Sequence, residues 1–262
     1  MGADLDLAFR MVDAADAQTI RWWSPSGTVS RTKDDGTPVT DADVAAENAM
    51  LAVLRHAHPE DGFLGEEVGE HLGTSGRRWI ADGIDGTRFF AVGDGTWGTL
   101  LALEVDGAIA LGVSSSPAQA RRWWAVRGAG AFTGPPDRSS ASRISVSKRR
   151  DPSPSGLVCL PAHDALSPSR QQVLSRLAGG CPIDRPWSHQ IQIAEGEVDL
   201  CVWFAGDIWD HAAPSIIVEE AGGRFTDHTG GQRLDTRTAV YSNGLRHEEA
   251  LAALIAVTDP GD

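Results

Sequence analysis

The chain of 262 residues has only three cysteines, Cys159, Cys181 and Cys201. An odd count at those separations fits no zinc pattern and no disulfide framework, so buried, reduced thiols are expected. Basic residues are scarce: 23 Lys and Arg face 36 Asp and Glu, a formal net charge of −13. A protein that grips a nucleic-acid backbone carries a basic stripe, and this composition argues against nucleic acid as a partner. Long apolar runs are missing as well. None approaches the ~20 residues that span a bilayer, and the stretch from Met1 to Arg10 is acidic where a secretory leader would be basic. Internal repeats and low-complexity tracts are also lacking. A soluble cytoplasmic protein without a membrane partner is the expectation. If it handles a phosphorylated ligand, it must neutralise that ligand locally, with a few bases or with metal ions.

What is present is a chain long enough to bury a core without covalent staples, as one large domain or two packed halves. Helical spacing of Leu5, Ala8, Val12, Ala15 and Ile20 predicts a helix from Asp4 to Trp23. A polar loop or short hairpin follows over Ser24 to Gly36. A second helix is predicted from Asp41 to Ala57, ended by His58-Pro59. Short apolar runs at Phe63-Leu64, Trp79-Ile80 and Thr99 to Val105 read as strands. Asp106-Gly107 marks a hairpin turn, after which Ile109 to Val113 and Arg122 to Val126 extend an antiparallel sheet. Pro135 to Ser142 reads as a flexible connection between halves at 1–134 and 143–262. Beyond it come a strand (Leu157 to Leu160), helices at Pro168 to Leu177 and Ile191 to Gly196, and a strand at Val198 to Trp203. Two more helices are predicted, Ile208 to Ala221, closed by Gly222-Gly223, and His247 to Ala256. Blocks of helix and strand alternate, so the class is α/β (α+β), a layered sandwich.

Carboxylates cluster at four places, and each allows two readings. Asp82-Gly83-Ile84-Asp85-Gly86-Thr87 follows a strand. It is either a tight turn or an all-oxygen site for a hard cation such as Mg²⁺, with N–H groups at Gly86-Thr87 facing a phosphate. Asp207 and Asp210 have capping-box spacing at a helix start, yet Asp210 also falls in the first helical turn. Thr40 and Asp43 make a second capping box, and Asp43 could equally face a metal site. Glu66-Glu67 could be a solvated edge, since paired glutamates are common on surfaces, and Lys33, in a Gly-containing loop, reads as a solvated charge.

Taken in order, Lys33, Thr40-Asp41-Ala42-Asp43, Gly65-Glu66-Glu67, Trp79-Ile80-Ala81-Asp82-Gly83-Ile84-Asp85-Gly86-Thr87 and Trp209-Asp210-His211-Ala212-Ala213 resemble the inositol monophosphatase superfamily of magnesium-dependent phosphatases. The match runs to Ser242-Asn243-Gly244 and His247. Within it, Asp34 to Thr40, Leu64 to Gly69, Trp97 to Leu100 and Arg121-Arg122-Trp123-Trp124-Ala125 look most like bacterial histidinol-phosphate phosphatases. That resemblance implies an αβαβα sandwich with the active site between its halves. It implies two to three Mg²⁺, with Mn²⁺ as the alternative. Glu66, Asp82 and the Ile84 carbonyl would hold one ion, and Asp82, Asp85 and Asp210 a second. A third would sit by Glu66, near Asp43. Thr87, hydrogen-bonded towards Asp43 or Glu66, would orient and deprotonate the attacking water. Gly86 and Thr87 would bind phosphoryl oxygens, while Glu67 and Lys33 would orient ligands. A homodimer acting on a small phosphorylated metabolite is expected, with Trp22-Trp23 and Trp123-Trp124 either at its interface or in the core.

Two departures stand out. Gly83 replaces the family's usual Pro, which implies a looser loop. Before Trp209, the family members that act on histidinol phosphate carry acidic residues, whereas here only Asp207 does, beside Trp203 and Phe204. Those aromatics would form a wall for a heterocycle or pack in the core, and His189 is a further candidate substrate contact. Histidinol phosphate, a nucleoside or sugar phosphate, and inositol phosphate are therefore the competing substrates. A catalytically silent ligand-binding protein is the contrasting reading, opposed by the complete carboxylate set.

Overall fold

The computed structural model of the protein describes residues 2–34, 36–150, 157–160, 165–179, 183–184 and 189–255. Its helices are α1 (Gly2–Trp22), α2 (Asp41–Ala57), α3 (Thr87–Ala91), α4 (Pro168–Ala178), α5 (His189–Ala194), α6 (Ile208–Glu220) and α7 (His247–Ile255). An eight-stranded sheet runs in the order Ser142–Arg143, Gly130–Gly134, Arg121–Val126, Ala108–Ser116, Gly98–Val105, Arg77–Asp85, Gly62–Gly65 and Gly69–His71. Its neighbours are antiparallel, except that Gly62–Gly65 lies parallel to Arg77–Asp85. A second sheet of five strands has the order Ile183–Asp184, Leu157–Leu160, Leu200–Trp203, Ala239–Ser242 and Arg224–Thr226. A small ribbon, Arg31–Thr32 against Pro38–Val39, leads into α2.

Strand alternation builds the layers, because successive side chains leave a sheet on opposite faces. Trp79, Ala81, Leu101, Leu103 and Trp124 point to one side of the large sheet and pack against Leu7, Met11 and Val12 of α1 and Met50 and Leu54 of α2. Ile80, Leu100, Ala102 and Trp123 point to the other side, where they meet Ile191 and Ile193 of α5 and Ala213, Ile216 and Ile217 of α6. That middle layer also packs on Cys201, Trp203 and Tyr241 of the small sheet. The far face of the small sheet, with Leu200, Val202 and Val240, is covered by Leu174 and Leu177 of α4 and Leu251 and Leu254 of α7. The result is helix, sheet, helix, sheet, helix, as expected. Asp106 (φ +50°) and Gly107 (φ +80°) make the anticipated hairpin turn. No helix among the described residues is long and apolar enough to cross a membrane.

One local expectation is corrected, and the structure decides between the alternatives for the tryptophan pairs. The Pro135 to Ser142 stretch is an ordered turn: the Arg138 N–H donates to Pro135 O, and Ser142 and Arg143 pair back with Thr133 and Phe132. Trp123 and Trp124 are both core, on opposite faces of one strand. Of the two arginines before them, only Arg121 is at the surface. Arg122 is buried under α1, where it pairs with Asp16 at 2.5 Å and Asp13 at 2.7 Å, neighbours at i, i+3 on that helix. Trp22 is half exposed, while Trp23 packs beside Phe90 and Trp97. Cys201 is a buried free thiol; the Cys159 side chain and Cys181 lie outside the described residues.

Candidate active site

Both halves of the chain wall a cavity of about 540 Å³. Asp82 and Asp85 would leave opposite faces of a regular strand, being three residues apart. The pairing of Arg77–Asp85 with Gly98–Val105 slips between them, and the irregularity re-aims the second aspartate. Gly86 then turns left-handed (φ +85°) and α3 begins. From the other half, α6 brings Asp210. One carboxylate oxygen from each of Asp82, Asp85 and Asp210 lies within 4.8 Å of the others. Burial, and then the charges of Glu66, Asp85 and Asp210, push the Asp82 carboxyl well above the usual range. Burial and the Asp85 charge do the same to Asp210. A concentration of negative charge on hard oxygen donors, partly shielded from solvent, is what a divalent cation of the Mg²⁺ type relieves.

Asp210 both caps its helix and joins the carboxylate cluster. Its Oδ2 accepts the Asp207 N–H at 2.6 Å, capping α6, while the same carboxylate belongs to the cluster. Pro214 lacks the N–H that would have bonded the Asp210 carbonyl one turn back. The Gln190 amide approaches that carbonyl instead, at 3.5 Å.

Asp43 is likewise both cap and site. Oδ2 accepts the Thr40 N–H (2.9 Å) and hydroxyl (2.5 Å), closing the capping box of α2, and Oδ1 accepts the Thr87 hydroxyl at 2.8 Å. The Ile84 carbonyl is the other acceptor near that hydroxyl, at 2.9 Å. Of the two partners anticipated for Thr87, the structure thus selects Asp43. Glu66 instead faces Lys33, whose Nζ donates to Glu66 Oε1 at 2.5 Å and Glu67 Oε1 at 2.8 Å. Burial opposes the lysine's charge, but the two glutamates outweigh it and hold its pKa above the ordinary value. Lys33 is therefore not a solvated charge. The Arg31–Val39 ribbon presents it, tightened by Gly36 N–H to Lys33 O and Lys33 N–H to Thr37 O.

On the substrate side, Trp203 and Asp207 line the cavity. Phe204 does not: it packs against the α4–α7 layer, between Arg170 and His228. Strand alternation sends the two aromatics to opposite sides, so only one can serve as a wall. His189 opens α5, but its side chain lies outside the described residues. Gln190, next to His189, also lines the cavity; sequence reasoning overlooked Arg88 and Arg237 in the lining, and buried Glu47 behind it. Glu47 had a usable signal. It sits four residues after Asp43 on the apolar stripe of α2, where a charge is out of place. Arg237 had none, because a loop residue carries no periodicity.

Gly83 is firmly held rather than loose. Its carbonyl accepts the Thr99 hydroxyl at 3.0 Å, and a Cβ there would stand 2.7 Å from the Asp43 carbonyl. Gly83→Ala is therefore expected to destabilise the fold by about 1–3 kcal/mol, the usual cost of overpacking, in urea denaturation followed by fluorescence. Unchanged stability would mean that α2 yields freely at this contact.

Converging carboxylates beside a hydroxyl–carboxylate pair, at the seam of a five-layer sandwich, define a metal-dependent phosphatase. The comparisons place the chain more closely: it belongs to the inositol monophosphatase family, whose model matches residues 8–258. Histidinol-phosphatases of Streptomyces coelicolor (40% identical, 96% of each chain covered) and Mycobacterium tuberculosis (38%, 97% of this chain and 98% of that one) are similar to it. So is a Streptomyces griseus protein named glucose-1-phosphate thymidylyltransferase, 40% identical over 92% of each chain. Among solved structures, the suhB protein of Bartonella henselae matches with a TM-score of 0.84 at 27% identity, covering 99% of this chain and 100% of that one. The protein is accordingly a phosphoric monoester hydrolase.

Proposed function

We propose that the protein hydrolyses L-histidinol phosphate in the cytoplasm, with two to three Mg²⁺ as cofactor and Mn²⁺ as a substitute. The observation that carries the chemistry is the convergence of Asp82, Asp85 and Asp210. The substrate is supported by the full-length similarity to histidinol-phosphatases. Asp82, Asp85 and Asp210, with Glu66 and the Ile84 carbonyl beside them, would hold the ions. Bound there, the ions would make water acidic enough to attack near neutral pH and offset charge on the phosphoryl group. Thr87 and Asp43 orient the attacking water and take its proton, since the Thr87 hydroxyl donates to Asp43 and keeps its own lone pairs for water. The Gly86 and Thr87 N–H groups bind phosphoryl oxygens at the start of α3. Lys33 and Glu67 fix the direction of Glu66. In this reading residues 1–134 are the metal-bearing half and 143–262 the substrate-selecting half, Trp203 and Asp207 face the leaving group with His189 as a further candidate substrate contact, and the protein is a homodimer.

A second reading is favoured by one contact. Arg237 lies 3.9 Å from Asp207 at the cavity rim, where it weakens the pull of the only added acid on a cationic amine. A sugar or nucleoside phosphate would suit that rim. Phosphate release with Mg²⁺ from histidinol phosphate, myo-inositol 1-phosphate, nucleoside monophosphates and sugar phosphates separates the two. We expect histidinol phosphate to lead in kcat/KM by at least about tenfold, roughly 1.4 kcal/mol of discrimination. A sugar phosphate or nucleotide in the lead would overturn that assignment and make Arg237 the residue to test.

A further inference from the structure

Glu47 lies one turn beyond Asp43 on α2 and is completely buried. Its partners are backbone N–H groups. Oε2 accepts from Glu67 and Val68, both at 2.9 Å, and Oε1 faces the Gly83 N–H at 3.4 Å. These donors belong to two separate segments. Glu67 and Val68 form the turn after Gly62–Gly65, which carries Glu66. Gly83 sits between Asp82 and Ile84. The approach is close: a Cβ on Gly65 would stand 2.3 Å from Glu47 Oε2, and one on Gly83 would stand 3.2 Å from Glu47 Cγ. Burying a carboxylate beside other carboxylates costs free energy, which an apolar or amide side chain of the same volume would avoid. A merely space-filling role does not account for an acid here, whereas a need for one group that accepts from both segments at once does.

We infer that Glu47 is a positioning residue, which ties the Glu66 turn to the Asp82–Ile84 segment and sets their separation before any cation arrives. This rests on the reading of Glu66, Asp82 and Ile84 as the cation's ligands. Because Glu47 stands on the helix that also presents Asp43 to Thr87, one rigid element fixes the cation ligands and the pair that orients water. Glu47 itself neither lines the cavity nor belongs to the converging aspartates.

Glu47→Gln keeps the volume but must turn an NH₂ towards one donor, releasing one segment. Mg²⁺ binding is measured by calorimetry on the wild type and this variant, with steady-state kinetics across Mg²⁺ concentrations. Loss of a supporting partner of this kind weakens metal binding by about 10–100-fold. We expect that loss, together with recovery of kcat to within about threefold at saturating Mg²⁺, an unchanged substrate KM and an unchanged far-UV spectrum. Hydrogen exchange on the metal-free wild type is the independent check, with the Glu67 and Val68 amides protected before Mg²⁺ is added. Wild-type Mg²⁺ affinity in Glu47→Gln, an activity loss that excess Mg²⁺ does not restore, or free exchange of those amides without metal would each overturn the inference. A wild type that binds no Mg²⁺ overturns the cation reading itself, a different and recognisable failure.

Discussion

Asp82→Asn is expected to abolish phosphate release by roughly a thousandfold or more, equivalent to about 4 kcal/mol of transition-state stabilisation, while leaving the metal-free protein more stable than the wild type above neutral pH. The two halves of this result come from the same burial. Asp82 is 3% exposed and faces Glu66, Asp85 and Asp210, so its charge is opposed from every side until a cation compensates it. An amide has nearly the same shape. It keeps an oxygen for the Ile84 N–H, which Asp82 Oδ1 now accepts at 2.9 Å, and it removes one negative charge from the cluster. The fold therefore has no reason to suffer, and the repulsion falls. What is lost is an anionic donor central to the proposed ion sites. Phosphate release and thermal melting, measured on the same preparation in EDTA and in Mg²⁺, check both halves. A variant that is inactive and also less stable without metal would point to misfolding. One that retains a tenth of the activity would remove Asp82 from the machinery.

The layers were legible because alternation and helical spacing are local properties. The α2 boundaries from Asp41 to Ala57 coincide with prediction, since Thr40 and Asp43 close a capping box at one end and His58-Pro59 stops the other. Strand faces could be assigned in the same way, as Trp123 and Trp124 show. The departures arise where tertiary contact decides. Arginine is usually exposed, but Asp13 and Asp16 on a helix more than a hundred residues earlier allow Arg122 to be buried. Pro135 to Ser142 has the composition of a linker, and only the return pairing of Ser142 and Arg143 makes it a turn. In the site, motif order pointed to the three aspartates, while spacing could not choose between cap and ligand for Asp43 and Asp210. A carboxylate has two oxygens, and in each residue one of them closes a helix while the residue still faces the site, so capping does not decide against a ligand role. Glu47 and Arg237 escaped because their roles depend on what folds against them.

Stripped of divalent ions, the protein is expected to lose thermal stability as the pH rises from about 4.5 through about 7. Added Mg²⁺ should stabilise it most at the alkaline end. The sign follows from which state holds more protons. Burial raises Asp43, Glu47, Glu66, Asp82 and Asp210 above their unfolded values, so the folded state keeps protons that the unfolded chain has released. Stability from these groups is complete below the unfolded carboxylate pKa and declines as pH rises through the folded values. For Glu47, burial prevails over its three backbone N–H bonds and moves it from 4.5 to about 7, a loss of about 3 kcal/mol over that interval. Two buried histidines oppose this. His211, held neutral by burial and hydrogen-bonded to the Tyr241 hydroxyl at 2.9 Å, is lowered to about 3, and His247 to about 4. The unfolded chain then holds the extra protons, so their contribution grows with pH up to 6.5 and is constant above it. Below 6.5 the two histidines offset part of the loss from the five carboxylates, and above it the carboxylates act alone. A cation that compensates them binds best once they are ionised, so its affinity and its stabilisation both increase with pH. Melting curves from pH 5 to 8, in EDTA and in excess Mg²⁺, test the whole scheme. A flat metal-free profile, or a Mg²⁺ effect of equal size at every pH, would show that the buried carboxylates are not the groups the cation relieves.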